Sequence, residues 1–326
     1  MKPTPSQVHV NRPLSILSIA FMQSLDGFVA DKVFPVVPVD KQSDLYYEYA
    51  RGDWNRNQMR KRAPGAESAG GVYSVSTTPY ICDVFSLHKD IPDQVRANAD
   101  SVFSLDAEGT EFLSRQALLQ REIAFATDFF KTGVWTNNVT GVAATPGSNQ
   151  VLQWNDAAST PIENIREAKR AMQMLTGLKP NKLTVGAQVW DKLVDHPDVL
   201  DRIKHSAGND RPAIVTRAAF AALVELEEIL VMESIQNTAG EGLADSNAFV
   251  GGKGALLTHS PVRVGLMTAS AGITFAWRGY LGGTQASAIS RFRLERNKVD
   301  RLEIEAAYDQ RRVAADLGFF WNTIVA

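Results

Sequence analysis

The hydrophobic pattern of the chain centres on one long stretch of helical periodicity, residues 104–131 (SLDAEGTEFLSRQALLQREIAFATDFFK). Its apolar face is predicted to hold Phe112, Leu119, Ile123, Ala126 and Phe130, widened by Leu118, Phe125 and Phe129. Ser104 or Asp106 can cap its start, and Lys131 followed by Gly133 marks its end. At 1.5 Å per residue such a helix is roughly 40 Å long. We call it the spine helix and expect late strands of the chain to cover its apolar face.

Two alternating stretches precede the spine helix and enclose a polar one. DLYYEYARGDW and VYSVSTTPYICDVFSLHKDI have the alternation and aromatic content of strands, whereas RNQMRKRAPGAESAGG has no period. The pattern predicts a hairpin over residues 36–90 with a long, mobile tip, which is uncommon inside a compact domain. Residues 1–35 contain four prolines and only a weak helical patch, which favours an extended arm.

The tip of this hairpin is basic. Arg51, Arg56, Arg60, Lys61 and Arg62 occur within residues 51–62 against one acidic residue, Asp53. Such a run is usually a solvated loop, so a role in contacts between chains needs further support. The only apolar residues in the run that could anchor a contact are Trp54 and Met59.

After the spine helix the pattern changes twice. Residues 155–260 alternate short helices and short strands, such as KLTVG at 182–186, and begin with a capping box in which Thr160 and Glu163 flank Pro161. This texture predicts a separate α/β unit. From residue 261 the chain becomes strand-rich: RFRLERNKVDRLEIEAAYDQ reads as an antiparallel pair with one charged face, and LGFFWNTIV as a further buried strand.

Composition adds mainly exclusions. The 326 residues are 44% hydrophobic and 21% charged, which is typical of a globular protein, and no apolar run is long enough to span a membrane. A net charge of −2 gives no general attraction to nucleic acid. The single cysteine, Cys82, excludes an intrachain disulfide and fits a reducing compartment.

No enzyme signature is present. The five histidines lack metal-ligand spacing, and there is no GxSxG motif. The glycine-rich run at 251–254 is a poor phosphate loop, because Asn247 replaces the first glycine and Ala255 the magnesium-binding Ser or Thr. We therefore expect no catalytic residues, no metal and no cofactor.

The order of arm, long hairpin, acidic-started spine helix, inserted α/β unit and closing strands resembles the major capsid proteins of tailed bacteriophages of the Hong Kong 97 type. The segment VVPVDKQSDLYYEYARGDWNR also looks like its counterpart in capsid proteins of phages with separate scaffolding. The resemblance implies an α+β fold in five parts. They are an N-terminal arm (1–35), an E-loop hairpin (36–90), a peripheral domain (91–154) with the spine helix at 104–131, an inserted axial domain (155–260) and closing strands of the peripheral domain (261–326). A return of the last strand to the axial domain is left open.

The function implied by the resemblance is structural. Copies of the chain would form the pentamers and hexamers of an icosahedral shell around double-stranded phage DNA, contacted non-specifically, in the virion after assembly in the cytoplasm of a host bacterium. A separate scaffolding protein and a portal are implied partners, a decoration protein is left open, and no membrane is involved. The family prototype cross-links its subunits through a hairpin lysine; Lys61 is the only candidate here, and no motif identifies its partner.

Two alternatives remain open at this point: an encapsulin-like shell that encloses protein cargo, and a soluble α/β enzyme with a disordered loop. In the capsid interpretation the basic tip contacts a neighbouring subunit. The residues assigned to that contact are Arg51, Asp53, Trp54, Arg56, Met59, Arg60, Lys61 and Arg62.

Overall fold

A computed structural model describes residues 23–99, 104–207, 215–265, 267–281 and 287–326. Most of the predicted arm, residues 1–22, lies outside the described residues. The strands are β1 Val36–Val39, β2 Ser43–Tyr49, β3 Val75–Ile81, β4 Asp83–Pro92, β5 Asn137–Val142, β6 Gln150–Leu152, β7 Lys182–Gly186, β8 Glu228–Met232, β9 Ile235–Asn237, β10 Asn247–Phe249, β11 Ala255–Thr258, β12 Gly272–Trp277, β13 Ser287–Leu294, β14 Val299–Arg312 and β15 Gly318–Asn322. The α-helices are α1 Ala30–Val33, α2 Arg51–Trp54, α3 Asp93–Asn98, α4 Leu105–Phe129, α5 Pro161–Thr176, α6 Ala187–Val194, α7 Pro197–Ala207, α8 Arg217–Val224 and α9 Arg278–Leu281, with 3-10 turns at Leu25–Gly27, Glu295–Asn297 and Ala315–Leu317. None of the helices in these ranges is long and apolar enough to cross a membrane.

A five-stranded sheet is built on the long strand β14. β4 runs antiparallel along one edge of β14, β13 and β12 share its other edge, and β1 pairs in parallel with β12. Leu302 and Ile304 of β14 are buried on the side that carries the spine helix. The predicted antiparallel pair and its turn are therefore confirmed.

The spine helix is confirmed as α4, but its predicted apolar face is rotated. Phe112 is 47% exposed, whereas its neighbour Leu113 is fully buried. Leu113 packs against Ile91 of β4 and against Leu302 and Ile304 of β14. The buried positions of the helix are Gly109, Leu113, Arg121, Glu122, Phe125 and Phe129. Gly109 explains the rotation, because a Cβ there would lie 2.7 Å from Leu302 Cδ1. The helix approaches the sheet where it has no side chain.

A second sheet has six strands in the order β6-β5-β15-β11-β7-β8. The predicted strand at 182–186 is confirmed as β7, which lies between β11 and the edge strand β8 of this sheet. β5, β6 and β15 come from outside residues 155–260, so this sheet takes half of its strands from the flanking chain. One face is covered by α5 to α8, with Trp154, Leu183 and Trp321 fully buried between sheet and helices.

The start of α5 differs from the predicted capping box. Thr160 takes the N-cap position, but its side chain accepts no hydrogen bond from the helix. Glu163 instead forms an ion pair with Arg202 of α7. Pro161 in the first turn and Gly177, left-handed at φ 77°, still define the two ends as predicted.

The opposite face of the six-stranded sheet meets the end of the spine helix. Here Phe129 and Phe320 enclose the short segment Val29–Phe34 in one apolar cluster. Phe130 of the helix C-cap contacts Phe320 with ring centroids 5.3 Å apart. This junction joins the spine helix, the N-terminal segment and the second sheet.

Candidate intersubunit surface

The predicted hairpin is present over a shorter range than residues 36–90: β2 and β3 pair antiparallel from Ser43 opposite Ile81 to Tyr49 opposite Val75. β1 and β4, which the prediction included, pair with strands of the first sheet, and Arg51–Trp54 form the helical turn α2 instead of continuing the first strand. The base of the hairpin is fixed to the first sheet: the Tyr80 ring stacks on Phe275 at 4.4 Å between centroids. The Ile81 backbone N–H donates to the Asp309 carboxylate at 2.9 Å. The base is therefore rigidly mounted, whereas residues 50–74 form the tip.

Two side chains cross-brace this tip. The Asp53 carboxylate accepts from the Ser74 hydroxyl at 2.7 Å and from the Ser74 N–H at 2.9 Å. These hydrogen bonds hold the pKa of Asp53 below its ordinary value. Gln58 bonds both backbone groups of Val72, accepting at 3.1 Å and donating at 3.2 Å. The tip is thus folded back on itself, with local bonds that the sequence pattern did not predict.

An aromatic cluster lies at the root of the tip. Tyr49, Trp54 and Tyr73 contact one another with ring centroids 5.7–6.2 Å apart. Trp54 is nevertheless 57% exposed, and Met59 is 90% exposed. Together with neighbouring residues they line a cleft of about 420 Å³. An exposed apolar cluster on a projecting element is typical of a protein–protein contact.

The basic residues of the tip divide into two groups. Arg51 pairs with Asp316 of its own chain, which also accepts from the Thr136 hydroxyl at 2.6 Å, and Arg62 donates to the Ala66 carbonyl within the tip. Arg51 therefore holds the tip to the body of the subunit. Arg56, Arg60 and Lys61 form no ion pair with any residue of the described ranges, and these three are the charges available to a neighbour.

One buried histidine invites a catalytic interpretation, which its hydrogen bonds exclude. His196 Nε2 lies 3.0 Å from Ser159 Oγ, the spacing of a nucleophile and its base. However, His196 Nδ1 accepts the Asp198 N–H at 3.2 Å, so the proton of the neutral ring is on Nε2. Nε2 then donates, and Ser159 donates its own proton to the Asp156 carbonyl at 2.7 Å. The group ties a loop to the start of α7 and has no free base.

Within the described ranges, no three His, Cys, Asp or Glu side chains come together as a metal site. Two charged residues that were not predicted to be buried, Arg121 and Glu122, lie buried in the middle of the spine helix. Their signal was present in the sequence, since an adjacent Arg–Glu pair interrupts the apolar face of that helix.

Comparison with known proteins decides the fold. Residues 148–233 match the family model for phage major capsid protein E. Over 97% of both chains, the sequence is 26% identical to the major capsid protein of Pseudomonas phage JBD67. A phage-related protein from Bordetella bronchiseptica RB50 superposes with a TM-score of 0.69 at 18% identity, covering 93% of each chain. The mature capsid of bacteriophage PhiM1 gives a TM-score of 0.58 at 13% identity, covering 98% of each chain.

This is the fold of a tailed-phage major capsid protein. The resemblance to the Hong Kong 97 type is confirmed, and with it the α+β fold class. An encapsulin from Synechococcus elongatus PCC 7942, the SrpI shell protein, also superposes on this capsid fold, with a TM-score of 0.55 at 9% identity over 97% of this chain and 95% of that one. The fold is therefore shared by phage capsids and by an encapsulin.

Proposed function

We propose that the chain is the major structural subunit of a phage capsid, and that its copies assemble into a closed icosahedral shell around double-stranded DNA. One observation carries this proposal: the match to a phage major capsid protein extends over 97% of both chains. The encapsulin alternative rests on fold similarity at 9% identity alone. The role is structural, and the one serine–histidine contact described above lacks a base.

Electron microscopy and size-exclusion chromatography of the expressed full chain test the proposal, with the chain expressed alone and together with a phage scaffolding protein. Closed shells in the megadalton range, without a co-purifying protein cargo, support a phage capsid. Shells that retain a specific cargo protein support the encapsulin alternative. A stable monomer under both conditions contradicts both.

The hairpin tip supports a finer proposal, that it docks on a neighbouring subunit. Trp54 and Tyr73 of the aromatic cluster, and Met59, are exposed in the isolated subunit. Ordering a long loop costs conformational entropy. A contact with another copy would offset that cost by burying these side chains. Arg56, Arg60 and Lys61 would face carboxylates of that neighbour. Each exposed ion pair contributes only about 0–1 kcal/mol, but a shell repeats the contact at every subunit.

Deletion of residues 53–70 tests the docking of the tip. The base of the hairpin and the Arg51–Asp316 pair stay in place, so the subunit should keep its melting temperature while particles are lost. Normal shells from the deletion variant would show that the tip is passive. The same proposal includes the pentamers and hexamers, the scaffolding and portal partners, the DNA contact and assembly in the bacterial cytoplasm. These parts are supported only by the resemblance to phage capsid proteins.

A further inference from the structure

Glu122 is a buried carboxylate at the start of a short helical turn. Its side chain is 1% exposed and lies on the spine helix beneath the segment Val29–Phe34. Glu122 Oε2 accepts the backbone N–H of Ala30 at 2.8 Å and that of Val29 at 3.0 Å, and Oε1 lies 3.1 Å from the same Val29 nitrogen. The first N–H groups of a helix have no partner inside it, so the carboxylate supplies what the turn α1 lacks.

The other end of the same turn is held by the second sheet. Lys182, the first residue of β7, is buried and donates through Nζ to the Lys32 carbonyl at 2.5 Å. The N-terminal segment is thus held by a carboxylate from the spine helix and an ammonium group from the six-stranded sheet. We call Val29–Phe34 with Glu122 and Lys182 the joint.

The charged groups around Glu122 leave it without a cation of its own. Asp31 and Lys32 face it from the segment, and Arg121 beside it on the spine helix is paired with Asp31. Arg121 also lies 5.1 Å over the ring of Tyr308 from β14. No ion pair joins Glu122 to any residue in the described part of the chain, so its two backbone donors are the main compensation for burial.

We propose that the joint is proton-linked, so that separating the N-terminal segment from the spine helix releases a proton that Glu122 holds while the joint is closed. The inference rests on the fold and is independent of shell assembly. It assigns Glu122 as the group through which pH controls the attachment of the N-terminal segment to the body of the subunit.

The direction of the pH dependence follows from the burial of Glu122. Desolvation, with Asp31 adding to it, raises the pKa of Glu122 from 4.5 to about 7, although the two N–H donors act in the opposite sense. In the open joint the carboxyl group meets water and returns to its ordinary pKa. The closed state therefore binds more protons between pH 4.5 and about 7, and opening becomes easier as the pH rises through this window. Between pH 6 and pH 8 the opening constant should increase about tenfold.

Through Lys182, the opening of the joint would depend on pH with the opposite sign. Burial lowers its pKa, so the closed joint favours its neutral form and a rising pH would favour closure through this residue. The sign of the measured dependence therefore tells the two groups apart.

Hydrogen exchange measured by mass spectrometry on the full chain, corrected for intrinsic rates, tests the joint at pH 6, 7 and 8. After this correction, the exchange rate reports how often the joint opens, and peptides covering Val29–Phe34 should exchange about tenfold faster at pH 8 than at pH 6. Peptides from β11 serve as the reference for parts of the subunit outside the joint. In Glu122→Gln the side-chain carbonyl still accepts while nothing titrates, so the joint peptides should lose this dependence. In Asp31→Asn a carboxylate that raises the pKa of Glu122 is gone, and the midpoint should move to lower pH.

Wild-type joint peptides that follow the reference at every pH would overturn the proposal, as would a Glu122→Gln variant with the wild-type dependence. If Glu122→Gln does not fold, the pH profile of the wild type and the shifted midpoint in Asp31→Asn still test the proposal. All these measurements report on the folded subunit, so a chain that never forms shells would defeat the proposed function and leave this test intact.

Discussion

The Phe34 ring meets the Phe125 ring edge-on, with centroids 5.1 Å apart and ring planes at 89°. Both side chains are fully buried. The contact joins the N-terminal segment to the spine helix, a contribution to the burial of Phe125 that the expectation of cover by late strands did not include. β14 covers the earlier part of the helix, around Leu113, while the N-terminal segment together with Phe320 of β15 covers its later part.

Truncation of Phe125 should therefore be costly. Phe125→Ala removes an aromatic side chain from a closed cluster, and we expect the free energy of unfolding to fall by about 3–5 kcal/mol. Phe112→Ala is the matched control on the same helix, because that ring is 47% exposed and should cost much less. Denaturant titration of both variants measures the difference, and equal losses would contradict the assigned faces of the helix.

Gly272 is the site of a second stability prediction. It begins β12, where an added Cβ would lie 2.3 Å from Phe34 Cζ inside the junction. Gly272→Ala must displace that ring, and overpacking of this kind costs about 1–3 kcal/mol. Gly70→Ala is the control, since no atom lies within 4 Å of the added methyl group. A Gly272→Ala variant that melts with the wild type would show that the ring moves freely.

The thiol of Cys82 should be unreactive in the folded protein. Its thiol is fully buried, and burial raises its pKa from 9.0 to about 12. At pH 8 a thiol-specific chromogenic reagent should therefore react very slowly with native protein and quickly after addition of guanidinium. Rapid stoichiometric labelling of the native chain would mean that the base of the hairpin opens easily.

The unpaired basic residues of the tip give a prediction about assembly. Arg56→Glu/Arg60→Glu should slow shell formation without lowering the melting temperature, and wild-type assembly should depend on salt. Arg170→Glu/Arg296→Glu introduces the same change in net charge at exposed positions outside the tip. Light scattering during assembly compares the two variants; equal slowing would attribute the effect to net charge alone.

The success of sequence analysis depended on the range of the interactions involved. The spine helix, the hairpin strands and β7 were predicted because periodicity and breaker residues are local. The rotation of the helix was not, because it depends on the fit of Leu302 against Gly109, residues far apart in the chain. Thr160 takes the predicted N-cap position without the predicted capping bond, and the ion pair between Glu163 and Arg202, residues of different helices, has no signal in the local sequence either.

At the candidate surface, too, local features could be predicted from the sequence and contacts between distant residues could not. The basic run and Trp54 could be selected from composition, and a contact with a neighbour remains a prediction. Charge counting could not separate Arg51, paired with a distant Asp316, from Arg56 and Arg60. The joint at Glu122 required knowledge of which backbone N–H groups lie above the helix, and no sequence pattern carries that.

The position of β15 has a consequence for the order in which the subunit folds. β15 lies between β5 and β11 in the six-stranded sheet, yet it follows every other strand of that sheet in the chain. A ribosome therefore delivers β5, β6, β7, β8 and β11 before the strand that joins the two groups exists. Until β15 emerges, β5 and β11 each present an unpaired edge, and such edges attract other chains. Emergence of β15 from the ribosome, rather than synthesis of the α/β segment, is the point at which this sheet can close.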